Sequence, residues 1–273
     1  MDYLYTIILG VVQGITEFLP ISSSGHLLIL HNVLDFEVSD QLAFDVMLHL
    51  ATLASVVICF WSEIVKLARS FIFSLIGKHD EYSRTAWLIV LATIPAGILG
   101  FLFDDFIENS IHNNASVGII VVITMLILIG ILFILVEKIA KGELKYTDLG
   151  WKKAVFVGFA QALALIPGTS RSGITIIAGI KTGMKRQEAL KFSFLLSIPI
   201  IIGANIIKIP SLFSSGFATE ELTVMMFGAV SALVSGVLAI RFFLKFAQSK
   251  TLAPFAYYRF ILAAVLIIYL LVF

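Results

Sequence analysis

One polar motif occurs twice in this chain, at a constant offset of 148 residues, inside segments that are otherwise apolar. Gly10-x-x-Gln13 followed by Ser22-Ser23-Ser24-Gly25-His26 aligns without a gap on Gly158-x-x-Gln161 followed by Ser170-Arg171-Ser172-Gly173. The chain around them is 59% hydrophobic and 14% charged, with a mean hydropathy of +1.03, the composition of an integral membrane protein. In hydrocarbon, a helix interrupted by proline, glycine and hydroxyl residues leaves backbone groups that lipid cannot solvate. Such breaks are confined to a buried site or an aqueous cavity. Two of them in corresponding places point to a site at the interface of two repeats.

Other function classes find little support. A formal net charge of +1, with no dense Lys/Arg run, gives nucleic acid nothing to bind. The single Cys59 provides no disulfide framework. The first apolar stretch carries Glu17 and lacks a basic leader and a small-residue cleavage site, so it reads as part of the mature protein. We therefore expect one membrane domain over residues 1–273, with repeat one at about 1–137 and repeat two at about 150–273.

Six stretches have the roughly 20 apolar residues a span needs, near 43–61, 86–103, 117–137, 190–208, 223–244 and 255–273. The motif regions, 3–34 and 153–182, each read as an apolar arm, a polar break and a shorter second arm, which makes them re-entrant helical hairpins. Loops 62–85, 138–153, 181–191 and 245–254 carry Lys and Arg, whereas loops 35–42, 104–116 and 209–222 carry neither. The latter hold Asp35, Glu37, Asp40, Asp104, Asp105, Glu108, Glu220 and Glu221. Six spans with two hairpins put every basic loop on one side, which the positive-inside rule makes cytoplasmic. Three spans separate the motifs, so the expected fold is an all-α inverted-topology repeat with hairpin one entering from outside. Counting each hairpin as two full spans gives ten crossings with the same loop parity.

Within the breaks, Arg171 is the residue most expensive to place in lipid, at about 2.5–3.5 kcal/mol on insertion scales. It stands among Gly168, Thr169, Ser170, Ser172, Gly173 and Thr175 at the start of a helix. That setting suits an anion such as phosphate, through backbone N–H groups, the helix dipole and a bidentate guanidinium. The competing reading is a structural arginine that ties helices together through carbonyls. The first copy offers Glu17, Ser22, Ser23, Ser24 and His26 instead, with plainer readings beside the chemical one: Ser22 or Ser24 as a helix N-cap, His26 as a hydrogen-bonded interior histidine and Glu17 as a proton relay. A carboxylate, hydroxyls and an imidazole beside an anion cradle are what phosphoryl hydrolysis requires: base or metal ligand, nucleophile and proton carrier. Asp45 and His49 are four residues apart on one face of the first span, placed to line the same cavity, to form an i,i+4 pair, or to mark an interfacial helix start. Gln13 and Gln161 hold equivalent positions, expected to satisfy broken backbone. Arg241, Arg259 and Lys208 fall at span ends, where snorkelling explains them. Gly97-x-x-Gly100 and the glycines at 228 and 236 mark close packing, within the chain or across a homodimer.

The runs GVVQGITEFLPISSSGH at 10–26, PGTSRSGITI at 167–176, FDVMLHLAT at 44–52 and PFAYYRF at 254–260 resemble the bacterial undecaprenyl-diphosphate phosphatases of the bacitracin-resistance type. The resemblance implies a multi-pass enzyme of the bacterial plasma membrane, dependent on a divalent cation, Mg2+ or Ca2+. It would convert a polyprenyl diphosphate, a membrane-lipid substrate, into the monophosphate carrier of cell-wall synthesis and inorganic phosphate. Glu17, Ser23, His26 and Arg171 take the catalytic positions, with Glu17 at the metal. Gln13, Ser22, Gly168, Ser170, Ser172 and Thr175 take the substrate-binding ones. The family's paired acidic positions fall on Gln13 and Glu17, so a second carboxylate would have to come from Asp45. Ser23, His26 or water is the nucleophile, and the pocket is expected to open to the outer face. The alternative is a lipid-phosphate flippase or anion transporter of the same architecture.

Overall fold

A computed structural model of the chain describes residues 3–34, 41–107, 115–214 and 219–272. The side chains of Leu28, 31–34, 41–42, 104–107, 115–116, 207–214 and 219–221 lie outside that description, and with them His31, His112, Lys208 and the eight acidic residues of the loops without Lys or Arg. The described residues form eleven α-helices with two 3-10 turns and one isolated bridge between Leu144 and Met184. Helix is the expected outcome for apolar runs whose backbone groups must be satisfied without water.

The six anticipated spans are helices α3 (Gln41–Cys59), α5 (Glu81–Ile107), α6 (Ala115–Lys138), α9 (Arg186–Ser214), α10 (Thr219–Ser249) and α11 (Ala253–Val272). Five are long and apolar enough to cross a membrane by themselves; α3 qualifies together with α4 (Trp61–Ser74), from which it is bent by 88°. Helix α4 replaces what the sequence reading treats as loop. Its buried Leu67, Ser70 and Ser74 alternate with exposed Trp61, Ile72 and charged residues, so it is amphipathic and turns off the bundle axis.

The two motif regions become α1 (Tyr3–Phe18) with α2 (Ser23–Leu34), and α7 (Trp151–Ala162) with α8 (Arg171–Lys181). Helices α1, α2, α7 and α8 contain 16, 12, 12 and 11 residues. At 1.5 Å per residue these are about 24, 18, 18 and 16 Å long. None reaches the ~30 Å of a hydrocarbon core. The described helices therefore fit up to six spans and two helix–break–helix units better than ten full crossings.

The halves interlock: α1 packs along α10, α7 along α5, and α3 against both α9 and α10. Backbone contact at glycine permits the first two seams. A Cβ at Gly10 or Gly14 would run into the main chain of α10 at Gly228 and Ala232, and one at Gly158 into Ala92. Gly228 and Gly236 face Phe44 and Ser55 of α3, so both are used inside the chain. Gly97 meets nothing within 4 Å and Gly100 only Leu165, so none of these glycines argues for a dimer.

All four basic loops meet at one end of the bundle. Arg84 donates to Leu149 O (3.2 Å), Leu144 N to Gly183 O (3.0 Å), and Lys185 pairs with Glu143. Glu137 at the end of α6 receives Arg186 in a bidentate pair and the Leu252 N–H (3.0 Å). That convergence is the arrangement the loop charges require. Near the middle of the core, Phe194 of α9 packs edge-on against Phe18 and Phe243 and tilted against Phe60, an aromatic floor beneath the motif breaks.

Gly14→Ala is expected to lower the melting temperature in detergent, because overpacking a tight seam costs about 1–3 kcal/mol. Gly97→Ala, which points into open space, is expected to leave it unchanged or raise it slightly.

Candidate functional site

The breaks are alike in atomic detail. A proline follows the first arm of each pair, Pro20 just after α1 and Pro167 after α7 and the 3-10 turn Leu163–Leu165, and a serine at the same repeat position opens the second. Ser22 and Ser170 have φ of 76° and 69°, the only positive values at non-glycine residues among those described. Each Oγ accepts the N–H three residues on, from Gly25 (3.2 Å) and Gly173 (3.1 Å). Each also lies within hydrogen-bond reach of the hydroxyl two residues on, Ser24 (3.3 Å) and Ser172 (3.2 Å). A left-handed serine costs of order 1–3 kcal/mol and persists where surrounding contacts over-determine it. Here those contacts are the cap and the close approach of Gly25 and Gly173 to the capping serines.

The two breaks touch. Gly168 N donates to Ser24 Oγ (3.3 Å) and Ser172 Oγ to Leu19 O (3.3 Å). Arg259 of α11 sits between them, fully buried. Its guanidinium donates to Pro20 O (3.2 Å) of the first break and to Gly168 O (2.8 Å) and Thr169 O (3.2 Å) of the second. It also reaches Leu126 O (3.2 Å) and Met125 O (3.1 Å) of α6. Snorkelling at a span end, the sequence expectation for Arg259, is thus overturned. Helix breaks leave carbonyls without partners, and arginine has five N–H donors in a fixed fork. Arg259 thus ties helices through carbonyls, the role weighed for Arg171, which itself bonds one carbonyl, Ser193 O; Arg241 is exposed as anticipated.

Arg171 faces a different group. Its Nη2 lies 2.8 Å from Glu17 Oε1 across the repeat interface, with both side chains nearly buried. The other carboxylate oxygen accepts from Ser23 Oγ (2.9 Å) and Gln13 Nε2 (3.3 Å). Arg171 Nη1 donates to Ser193 O (3.2 Å), and Ser193 Oγ is 2.7 Å from Thr175 Oγ1. The structure therefore gathers Gln13, Glu17, Ser23, Arg171 and Thr175, with Ser22, Gly168, Ser170 and Ser172 forming the surrounding breaks.

His26 stands apart from this carboxylate cluster. Its Nδ1 is 2.6 Å from Ser22 O and its Nε2 is 2.6 Å from the Tyr258 hydroxyl, so both ring nitrogens are occupied away from Ser23 and Glu17. His49 bonds the main-chain oxygen of Asp45 (2.7 Å), not its carboxylate, and lies close enough to Glu17 to interact with it electrostatically. Gln161 reaches Ala92 O (3.5 Å) within helix α5, and Gln13 donates to the Glu17 carboxylate, so neither satisfies the broken backbone expected of it.

The residues that sequence reasoning missed are Ser193, Tyr258 and Arg259. The repeat contained a signal for the first: Ser193 is the counterpart of Asp45 at the same offset, as Ser197 is of His49. Tyr258 and Arg259 lie in the PFAYYRF run, with no periodic feature to aim them at the breaks.

For a cation, the relevant groups are Glu17 and Gln13, whose Oε1 is buried with no hydrogen-bond partner. No group of three His, Cys, Asp or Glu that would cage a metal occurs among the described residues. One carboxylate and one orphaned amide oxygen fit a hard divalent ion that keeps water and shares phosphate oxygens, the habit of Mg2+ in particular. They do not fit a zinc-type cage.

Comparison with known proteins adds an independent observation. Residues 6–265 match the family described as bacitracin resistance protein BacA. The chain is 41% identical to an undecaprenyl-diphosphatase of Rubrobacter xylanophilus, over 97% of each chain. Identity is also 41% to the protein of that name from Idiomarina loihiensis, over the full length of both. A third, from Methanobrevibacter smithii, is 38% identical over 97% of this chain and 96% of its own.

Arg259→Lys keeps the charge but offers three donors in place of the fork. Charged hydrogen bonds contribute about 1.5–3 kcal/mol each, so the variant is expected to melt at clearly lower temperature in detergent. Arg241→Lys is expected to melt as the parent protein does.

Proposed function

We propose that this chain, which belongs to the BacA bacitracin-resistance family, hydrolyses undecaprenyl diphosphate to undecaprenyl phosphate and inorganic phosphate. It thereby recycles the lipid carrier of cell-wall synthesis. The observation that carries the reading is the buried constellation in which one carboxylate, Glu17, holds both the Ser23 hydroxyl and the Arg171 guanidinium. The names of the relatives favour chemistry over the transporter alternative.

Arg171 and the first-turn N–H groups of α8 bind the anionic oxygens of the terminal phosphate, a preorganised arrangement that stabilises charge on the transferring group. As Arg171 turns its donors to the substrate, Glu17 loses its neutralising partner and gains basicity. It then accepts the proton of Ser23, whose oxygen attacks the terminal phosphorus. The bond from phosphorus to the bridging oxygen breaks, and the prenyl monophosphate leaves. Water next cleaves the phosphoserine: His26, one helical turn along α2, takes a proton from the water, and Glu17 returns its proton to the departing Ser23 oxygen. Gln13 and Glu17 would hold a divalent cation, which when bound adds further neutralisation of phosphate charge. The prenyl tail stays in lipid, so only the headgroup has to reach the breaks.

The basic end of the bundle is taken as cytoplasmic in a bacterial plasma membrane, and the two halves as inverted repeats, with the α1–α2 pair entering from the outer face. On that orientation the pocket opens outward. In a Cys59→Ala background, Ser24→Cys is expected to react with a membrane-impermeant thiol reagent in right-side-out vesicles. Labelling only in inverted vesicles would reverse the orientation.

Purified protein in detergent is expected to release phosphate from a prenyl diphosphate and to stop on chelation. Arg171→Ala is expected to lose about 100-fold to 1,000-fold in kcat, the scale of removing a charge-stabilising donor, and Glu17→Gln at least as much. Well-folded protein that releases none with any divalent cation, yet moves lipid phosphate between leaflets, would reinstate the transporter.

A further inference from the structure

The contact between His26 and Tyr258 is unused by the chemistry above, and its geometry is specific. A backbone carbonyl can only accept, so the 2.6 Å approach of Nδ1 to Ser22 O places the imidazole proton on Nδ1. In the neutral ring Nε2 then carries the lone pair, and the Tyr258 hydroxyl, 2.6 Å away, is placed to donate to it. The two rings are within 8° of parallel, with centroids 5.6 Å apart, so the phenol restrains the imidazole plane as well as its tautomer. Two hundred and thirty-two residues separate the partners, and they meet because of what stands beside Tyr258. Arg259, the next residue of α11, is bonded to carbonyls of both breaks, which sets the height of α11 against the start of α2. Tyr257, on the other side, is largely exposed.

We propose that Tyr258 is the positioning residue of His26. Its hydroxyl holds the histidine neutral in the Nδ1–H tautomer and in one ring plane. The proton-accepting nitrogen, Nε2, is thereby kept at the phenol until a water displaces it. Tyr258 acts through His26 and does not touch the phosphoryl group. The inference rests on the hydrolytic reading for its rate consequence, but the contact itself can be observed without turnover.

Tyr258→Phe keeps the ring and removes the hydroxyl. In protein labelled with 15N-histidine in detergent, the parent is expected to show His26 in one tautomer, with a hydrogen-bonded Nε2; His26→Gln identifies the signals. In Tyr258→Phe the Nε2 signal is expected to move to its unbonded position and the tautomers to mix. With a prenyl diphosphate, kcat is expected to fall by about 10-fold to 100-fold, the effect of losing an outer partner that fixes a histidine. KM is expected to stay within about twofold and the melting temperature to hold. Tyr257→Phe is expected to change nothing. Unchanged His26 signals, or unchanged kcat, in Tyr258→Phe would overturn the proposal, as would a fall in kcat matched by loss of thermal stability. If the parent released no phosphate, the hydrolytic reading would fall by itself, and the histidine signals would still report whether the phenol is bonded.

Discussion

Everything at the centre of this protein depends on satisfying broken backbone where no water is available. Two helices stop at proline inside an apolar bundle, and each stop frees carbonyls that would cost several kcal/mol apiece if left bare in hydrocarbon. Arg259 satisfies three of them, on both breaks at once. A buried arginine without a carboxylate is ordinarily a liability, since removing its charge from water is expensive. Surrounded by carbonyl dipoles from α6 and from both breaks, it is solvated by the protein, and the breaks acquire a fixed relative position. The serine caps then determine the direction in which each second arm leaves.

With the breaks fixed, the repeats divide the work. They share a backbone design down to the φ of Ser22 and Ser170 and the cap each makes. Their side chains differ where chemistry is at stake. Repeat one places Glu17, Ser23, His26 and, on α3, Asp45 and His49 around the centre. Repeat two places Arg171, Thr175 and, on α9, Ser193 and Ser197 there. On the proposed function, one half supplies base and nucleophile and the other holds the anion. Neither is complete alone, and the Glu17–Arg171 ion pair is the seam between them.

The sequence was informative wherever a signal was local or periodic. Span number, the two interrupted helices, the loop polarity and the residues of both breaks follow from hydropathy, proline and the offset. Contacts between distant segments were not legible. Arg259 lies near the start of an apolar run, where its position suits snorkelling; only the packed bundle shows carbonyls of α6 and both breaks converging on it. Tyr258 reaches His26 from the other end of the chain by the same route. Asp45 and His49 have helical spacing, which predicts proximity correctly but not that the bond runs through the main chain. Helix α4 has an apolar stripe diluted by Glu63, Lys66 and Arg69, so hydropathy passes over it while amphipathicity does not.

The centre is also balanced in charge. Glu17 and Arg171 neutralise each other, which makes two nearly buried ionic groups tolerable in the membrane interior. On the proposed function, a diphosphate headgroup would disturb that balance by competing for the guanidinium, and the carboxylate it displaces is the one already bonded to Ser23. Binding energy from the phosphate is thereby converted into basicity at the residue that needs it. Glutamine at position 13 sharpens this arrangement. Its amide supports Glu17 through an N–H bond and leaves a buried oxygen free for a cation, without a second negative charge to compete for Arg171. The site needs one carboxylate in balance with one guanidinium, and the substrate supplies the remaining charge.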